Sequence, residues 1–151
     1  MSTLTRSVTI DAPVEKVFDL AMDVGKLWPC SPDVAVRDVE LTPDGVGTKA
    51  RIWTHGLGVH FEGSIEYTEV VRPERIVAHV AFGPEKPLWV FTFEPADAGT
   101  KMTGQGQWQV KAPAVGKTLE AWMAKSHEGF LETMLGNFKE LVEAAQVPSG
   151  R

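Results

Sequence analysis

The chain opens on strict alternation, with Val8 and Ile10 apolar between Ser7 and Thr9 polar. That period of two predicts a short strand. After Asp11-Ala12-Pro13 the period changes. Val14, Val17, Phe18 and Ala21 recur at helical spacing and make one apolar face. Pro13 fits the first helical position, where its missing N–H would be unpaired in any residue. Asp23 can cap a second short turn that ends near Trp28-Pro29. Pro29 and Pro32 then make the connection to the next strand irregular.

The middle of the chain reads as strand throughout. The pattern predicts strands near 33–41, 46–55, 58–70, 74–82, 88–95 and 100–110. Turn chemistry separates them at Pro43-Asp44-Gly45, Gly56-Leu57-Gly58, Arg72-Pro73-Glu74, Gly83-Pro84 and Asp97-Ala98-Gly99. Such short links favour antiparallel hairpins. Opposed residues of a hairpin share a face, so each turn implies a register. A turn centred on Gly56-Leu57 pairs Ile52 with Phe61 and Ala50 with Gly63, and sets Arg51 against Glu62 and Trp53 against His60 on the other face. The turn at Asp97-Ala98 sets Phe93 against Met102, Phe91 against Gly104 and Trp89 against Gly106, with Glu94 against Lys101 outside. The turn at Arg72-Pro73 sets Tyr67 against Ala78 inside and Glu66 against His79 outside.

The last third predicts one helix over 114–145. Leu119, Met123, Ser126, Phe130, Thr133, Asn137 and Leu141 fall on one stripe, widened by Trp122, Met134 and Phe138. At 1.5 Å per residue such a helix is roughly 50 Å long, and only a curved sheet could cover its stripe. The inner sheet face mixes rings with glycines: Phe61, Tyr67, Trp89, Phe91 and Trp108 among Gly63, Gly104 and Gly106. Glycines within strands permit sharp curvature, and these either serve that alone or also leave room for a ligand.

Composition narrows the classes. The chain has 151 residues, 43% hydrophobic and 23% charged, which fits one globular domain over 1–151 with 146–151 as a tail. A net charge of −5 argues against a nucleic-acid partner, since tracking phosphates requires clustered Lys and Arg. The one cysteine, Cys30, permits no internal disulfide. No run approaches a membrane span or a signal peptide, so the expected location is cytoplasmic.

One strand, two short helices, six antiparallel strands and a long final helix make a helix-grip arrangement, an α+β fold. The opening Val8-Thr9-Ile10-Asp11-Ala12-Pro13-Val14-Glu15-Lys16-Val17-Phe18 resembles that of the START-like, polyketide cyclase/dehydrase (SRPBCC) superfamily. Asp23 followed by Leu27-Trp28 and Ser31-Pro32, Gly56-Leu57-Gly58-Val59-His60-Phe61-Glu62, and Val70-Val71-Arg72-Pro73-Glu74-Arg75-Ile76 are similar to the same group. The resemblance implies a curved sheet of about seven strands around the helix, with an apolar cavity between them. Its members include lipid carriers, aromatic polyketide cyclases and hormone receptors, so the chemistry must be argued from the site.

The candidate ligand-binding residues are Phe61, Tyr67, Trp89, Phe91, Trp108, Met123, Ser126 and Phe130. A ligand-sized void of about 400 Å³, charged at roughly 24 cal/mol per Å³, would cost on the order of 10 kcal/mol. That rivals a whole domain's stability, so a void of this size calls for an occupant. Tyr67 either completes the core or offers its hydroxyl to a ligand carbonyl. Ser126, Thr133 and Asn137 either bond back to their own helix or orient a ligand's polar end. The loops at Gly56-Leu57 and Gly83-Pro84-Glu85 are candidate gates. His55, His60, His79 and His127 are too scattered for a metal site, and no cofactor motif is present. Cys30 has no histidine positioned to activate it, and no carboxylate pair faces inward, so no catalytic residue is assigned. Trp53 falls on the outer face and is the candidate for a homodimer or partner patch. Three readings follow: a binder of a small hydrophobic molecule (a lipid, polyketide or other aromatic compound), a polyketide cyclase/dehydrase-type enzyme on such a substrate, or an interaction module using the outer sheet face.

Overall fold

A computed structural model of the chain describes residues 2–31, 34–56, 59–81, 86–97, 99–108 and 116–145, and the side chains of 3–31, 34–53, 62–81, 86–97, 99–108 and 129–145 among them. Strand β1 (Ser2–Ile10) leads into helices α1 (Val14–Met22) and α2 (Val24–Leu27) and a 3₁₀ turn (Trp28–Cys30). Six strands follow: β2 (Val34–Glu40), β3 (Lys49–Gly56), β4 (Val59–Val71), β5 (Arg75–Ala81), β6 (Leu88–Ala96) and β7 (Gly99–Trp108). The chain closes on helix α3 (Gly116–Ala145). The strands form one seven-stranded antiparallel sheet in the order β1-β7-β6-β5-β4-β3-β2. Only β1 leaves sequence order, crossing to pair with β7. This is the helix-grip arrangement.

Alternation decides what faces the helix. Ile52, Ile65, Tyr67, Ile76, Ala78, Trp89, Phe91, Phe93 and Met102 are buried on the inner face, while Arg51, Glu62, Glu66, His79 and Glu94 are exposed on the outer one. Two irregularities bend the sheet. One lies between Tyr67 and Glu69 in β4. The other lies between Arg37 and Glu40 in β2, where Asp38 takes φ +54°. Bulges of this kind increase local twist.

Four expectations need correction. Strand β1 is longer than the alternation at 7–10 suggests, because Arg6 stands at an inward position and interrupts the apolar pattern. Its Nε reaches Glu132 Oε1 on α3 at 3.1 Å. Pro13 is the N-cap rather than the first helical residue. The β3–β4 register differs by two: Ile52 pairs with Gly63, Ala50 with Ile65 and Trp53 with Glu62. Gly56 pairs with Val59, so the strands join one residue later than the turn at Gly56-Leu57 implied. Parity is unchanged, so every described side chain keeps its face.

The fourth correction concerns α3. Its buried residues are Leu131, Met134, Leu135, Phe138 and Val142, whereas Thr133, Asn137 and Leu141 are exposed. The buried stripe is rotated by one residue, about 100°, from the one the sequence suggested. The rotation exchanges two polar positions for an uninterrupted apolar run. Asn137 instead donates Nδ2–H to the Cys30 carbonyl at 2.7 Å. Lys139 Nζ donates to the Thr9 carbonyl at 2.9 Å, and the Asp11 N–H donates to Glu143 Oε2 at 2.9 Å. The Lys139 ammonium, helped by that N–H, holds the Glu143 carboxyl below its ordinary range. These contacts clamp the C-terminal half of α3 against the 3₁₀ turn and the end of β1.

Candidate functional site

Asp23 sets the geometry of the site. Its carboxylate accepts the Gly25 N–H at 2.9 Å and caps α2. The α2 turn then delivers Trp28 into the interior, where it is 2% exposed. Trp28 meets Trp89 and Phe91 of β6 edge-on, with centroids 6.2 and 5.9 Å apart and planes at 81° and 84°. Phe130 of α3 lies 5.9 Å from Trp28 and 5.4 Å from Trp89. Four rings from the 3₁₀ turn, the sheet and the long helix thus make one aromatic face.

The β7 glycines make this packing fit. A Cβ on Gly106 would stand 2.6 Å from Trp89 Cζ3, and one on Gly104 would stand 2.8 Å from Leu131 Cδ1. Both spaces are filled by side chains, so these two glycines admit the rings and leave no room of their own for a ligand.

Tyr67 is completely buried. Its O–H donates to the Ala21 carbonyl at 2.8 Å, one of the last four carbonyls of α1, which have no partner within the helix. Burial pushes the phenol well above its ordinary pKa, so the hydroxyl stays protonated and committed to α1. The Trp28 indole N–H is directed at the Tyr67 oxygen and partly offsets the effect of burial on the phenol. Ser31 Oγ, three residues further on, is buried without a partner.

A family model described as polyketide cyclase / dehydrase and lipid transport matches residues 1–143. The chain belongs to this family. Its fold recurs among solved structures of low identity. A Thermus thermophilus protein, TTHA0849, is 22% identical, with 96% of this chain and 99% of that one covered at a TM-score of 0.79. Ms6760 of Mycobacterium smegmatis is 21% identical, covering 95% and 92% at 0.70. Ara h 8.0201 is 18% identical, covering 95% and 98% at 0.61, which extends the likeness to the Bet v 1 fold. No curated protein matches the chain.

Of the residues named from the sequence, Tyr67, Trp89, Phe91 and Trp108 are buried on the inner face and Phe130 packs partly buried against the core. The side chains of Phe61, Met123 and Ser126, of His55, His60 and His127, and the loop tips at Leu57 and Gly83-Pro84-Glu85 lie outside the described residues. Sequence reasoning left Trp28 and Leu131 out of the site. A large ring directly after a capped single-turn segment was the available signal for Trp28. Leu131 was lost with the rotation of the α3 stripe.

Outside the aromatic face, Lys26, Pro29, Cys30, Asn137, Glu140 and Leu141 line an open groove of about 610 Å³ between α2 and α3. The Cys30 thiol donates to the Lys26 carbonyl at 3.2 Å, and burial raises its pKa. This family member therefore presents a protonated thiol there. Trp53 is half-buried on the outer face, with the Arg37 and Arg51 guanidiniums 5.1 and 5.5 Å from its ring centroid. Arg51 also pairs with Glu62. Among the described residues, no group of three or more His, Cys, Asp or Glu could hold a metal ion, and no helix is long and apolar enough to cross a membrane.

Proposed function

We propose that the protein binds a small hydrophobic molecule, a lipid, polyketide or other aromatic compound, in a cavity between the inner sheet face and α3. The observation that carries this reading is the face formed by Trp28, Trp89, Phe91 and Phe130. We assign Phe61, Tyr67, Trp89, Phe91, Trp108, Met123, Ser126 and Phe130 to the cavity wall, and add Trp28. The family's description, which includes lipid transport, supports the same reading. Binding is favoured over acid–base catalysis because the buried polar or charged side chains among the described residues are Ser31, Thr48 and Thr100, none of them a general base at neutral pH. Tyr67, the first candidate for polarising a substrate carbonyl, already gives its proton to Ala21.

Native mass spectrometry of the purified protein, followed by denaturation and identification of what is released, tests the proposal. Titration with the uncharged fluorophore N-phenyl-1-naphthylamine tests it independently. The expected result is a released apolar compound or saturable one-to-one uptake of the fluorophore. A bare protein that takes up no fluorophore overturns the proposal.

A further inference from the structure

The rotation of the α3 stripe leaves an apolar side chain outside the core. Leu141, which its spacing placed on the buried stripe, is 40% exposed. It stands with Glu140 on the α3 wall of the open groove of about 610 Å³. The facing wall, from α2 and the 3₁₀ turn, presents Lys26, Pro29 and Cys30. Val39 of β2, 39% exposed, borders the groove at Gly25, where an added Cβ would lie 3.3 Å from Val39 Cγ2. One turn before Glu140, a Cβ on Gly136 would meet nothing within 4 Å, so the helix surface there is open to close approach.

Charge decides what covers these side chains. Lys26 and Glu140 have opposite signs and stand on opposite walls. Among the described residues, no ion pair joins them to each other or to any other side chain. A nucleic acid or an anionic membrane would attract Lys26 and repel Glu140. A cover that answers both must bring one anion and one cation in exchanged positions. A second copy related by a two-fold axis does so by construction, because in such an interface residue i meets j and j meets i. We infer that the α2–α3 groove is a homodimer interface, in which the α3 wall of each copy seats in the groove of the other. Lys26 then meets Glu140 of the partner subunit twice across the axis, and Leu141 packs on the partner's Pro29 and the partner's Cys30. This inference does not rest on the cavity reading. It also departs from the patch the sequence suggested, since the Trp53 ring already carries the Arg37 and Arg51 guanidiniums.

Sedimentation equilibrium of the wild-type protein up to millimolar concentration is expected to show a monomer–dimer equilibrium. Lys26→Glu and Glu140→Lys each turn both attractions into repulsions, so each variant alone should be monomeric. Both positions are exposed, and an unchanged circular dichroism spectrum checks that the variants fold. Mixed in equal amounts, with one of them ¹⁵N-labelled, the two variants should form a mixed dimer in native mass spectrometry, because both contacts across its axis again join opposite charges. Leu141→Ser should weaken wild-type association about tenfold. A wild-type protein that stays monomeric overturns the inference and leaves the groove to a different occupant. A dimer that survives either charge reversal, or a mixture that fails to associate, also overturns it and moves the dimer contact elsewhere, with the outer face around Trp53 the next place to test.

Discussion

The hairpins β6–β7 and β3–β4 both put apolar side chains on the inner sheet face and charged ones outside, yet their registers are set by different means. In β6–β7 the inner pairs are Phe93 with Met102, Phe91 with Gly104 and Trp89 with Gly106. Ring meets glycine at two consecutive inner positions, and a shift of two residues would set Phe91 against Met102 or Trp89 against Trp108. Shape complementarity holds this register together with the tight connection between the paired Ala96 and Gly99. In β3–β4 the corresponding pairs are Ala50 with Ile65 and Ile52 with Gly63. Small and aliphatic partners tolerate a shift of two almost equally well, so the hydrophobic pattern fixes the face without fixing the partner. A hydrophobic alternation is a statement about parity, and register needs complementary shapes.

The largest expected effect tests the shape argument. Gly106→Val places methyl groups where Trp89 already lies, since even a bare Cβ would be 2.6 Å from the ring. Overpacking of this kind should cost about 3 kcal/mol. For a chain of this size that lowers the Tm by roughly 6–12 °C, read by thermal denaturation. An unchanged Tm would mean that the ring does not occupy the glycine's space, and the contrast between the hairpins would collapse.

A middle-sized effect tests how β3–β4 is held instead. Tyr67 on β4 ties this part of the sheet to α1 through the Ala21 carbonyl, and its backbone also pairs with Gly47 and Thr48. An anchor outside the hairpin replaces the shape match it lacks. Tyr67→Phe keeps the ring and leaves a buried carbonyl without its donor. The expected loss is about 2 kcal/mol, seen as a lower urea midpoint with an unchanged slope. Stability equal to wild type would show that the hydroxyl anchors nothing.

The same contrast explains what was legible in the sequence. Element order, strand faces and the β6–β7 pairing follow from alternation, turn residues and ring–glycine complementarity, all of them local. The α3 stripe was misplaced because that helix carries apolar residues on neighbouring stripes, and only packing against β1 selects Leu131, Met134, Leu135 and Phe138 over Thr133 and Asn137. The start of β1 was hidden by Arg6, whose inward position makes sense once Glu132 is seen across from it. The site was legible as a set of inward rings. Trp28 joins that set by a long-range fold-back that no periodicity records.

The smallest expected effect concerns the charges on the outer face. Arg51 and Glu62 form an ion pair, yet Arg51 stands opposite Ser64 and reaches Glu62 diagonally. Glu94 and Lys101 stand directly opposite each other, and no ion pair joins them among the described residues. Long side chains span the diagonal as readily as the rung, so an ion pair is compatible with two registers and decides neither. Double-mutant cycles at the two sites separate reach from opposition. They also subtract the stacking on Trp53 that Arg51→Ala would remove. With the Arg51 and Glu62 side chains 56% and 45% exposed, their coupling should be about 0.5 kcal/mol and fade with added salt, while Glu94 and Lys101 should couple by about zero. Equal couplings would mean that neither reach nor opposition controls the strength of such pairs, and the contrast between the two charge pairs would disappear. A larger value for Glu94 and Lys101 would make charge a usable register marker after all.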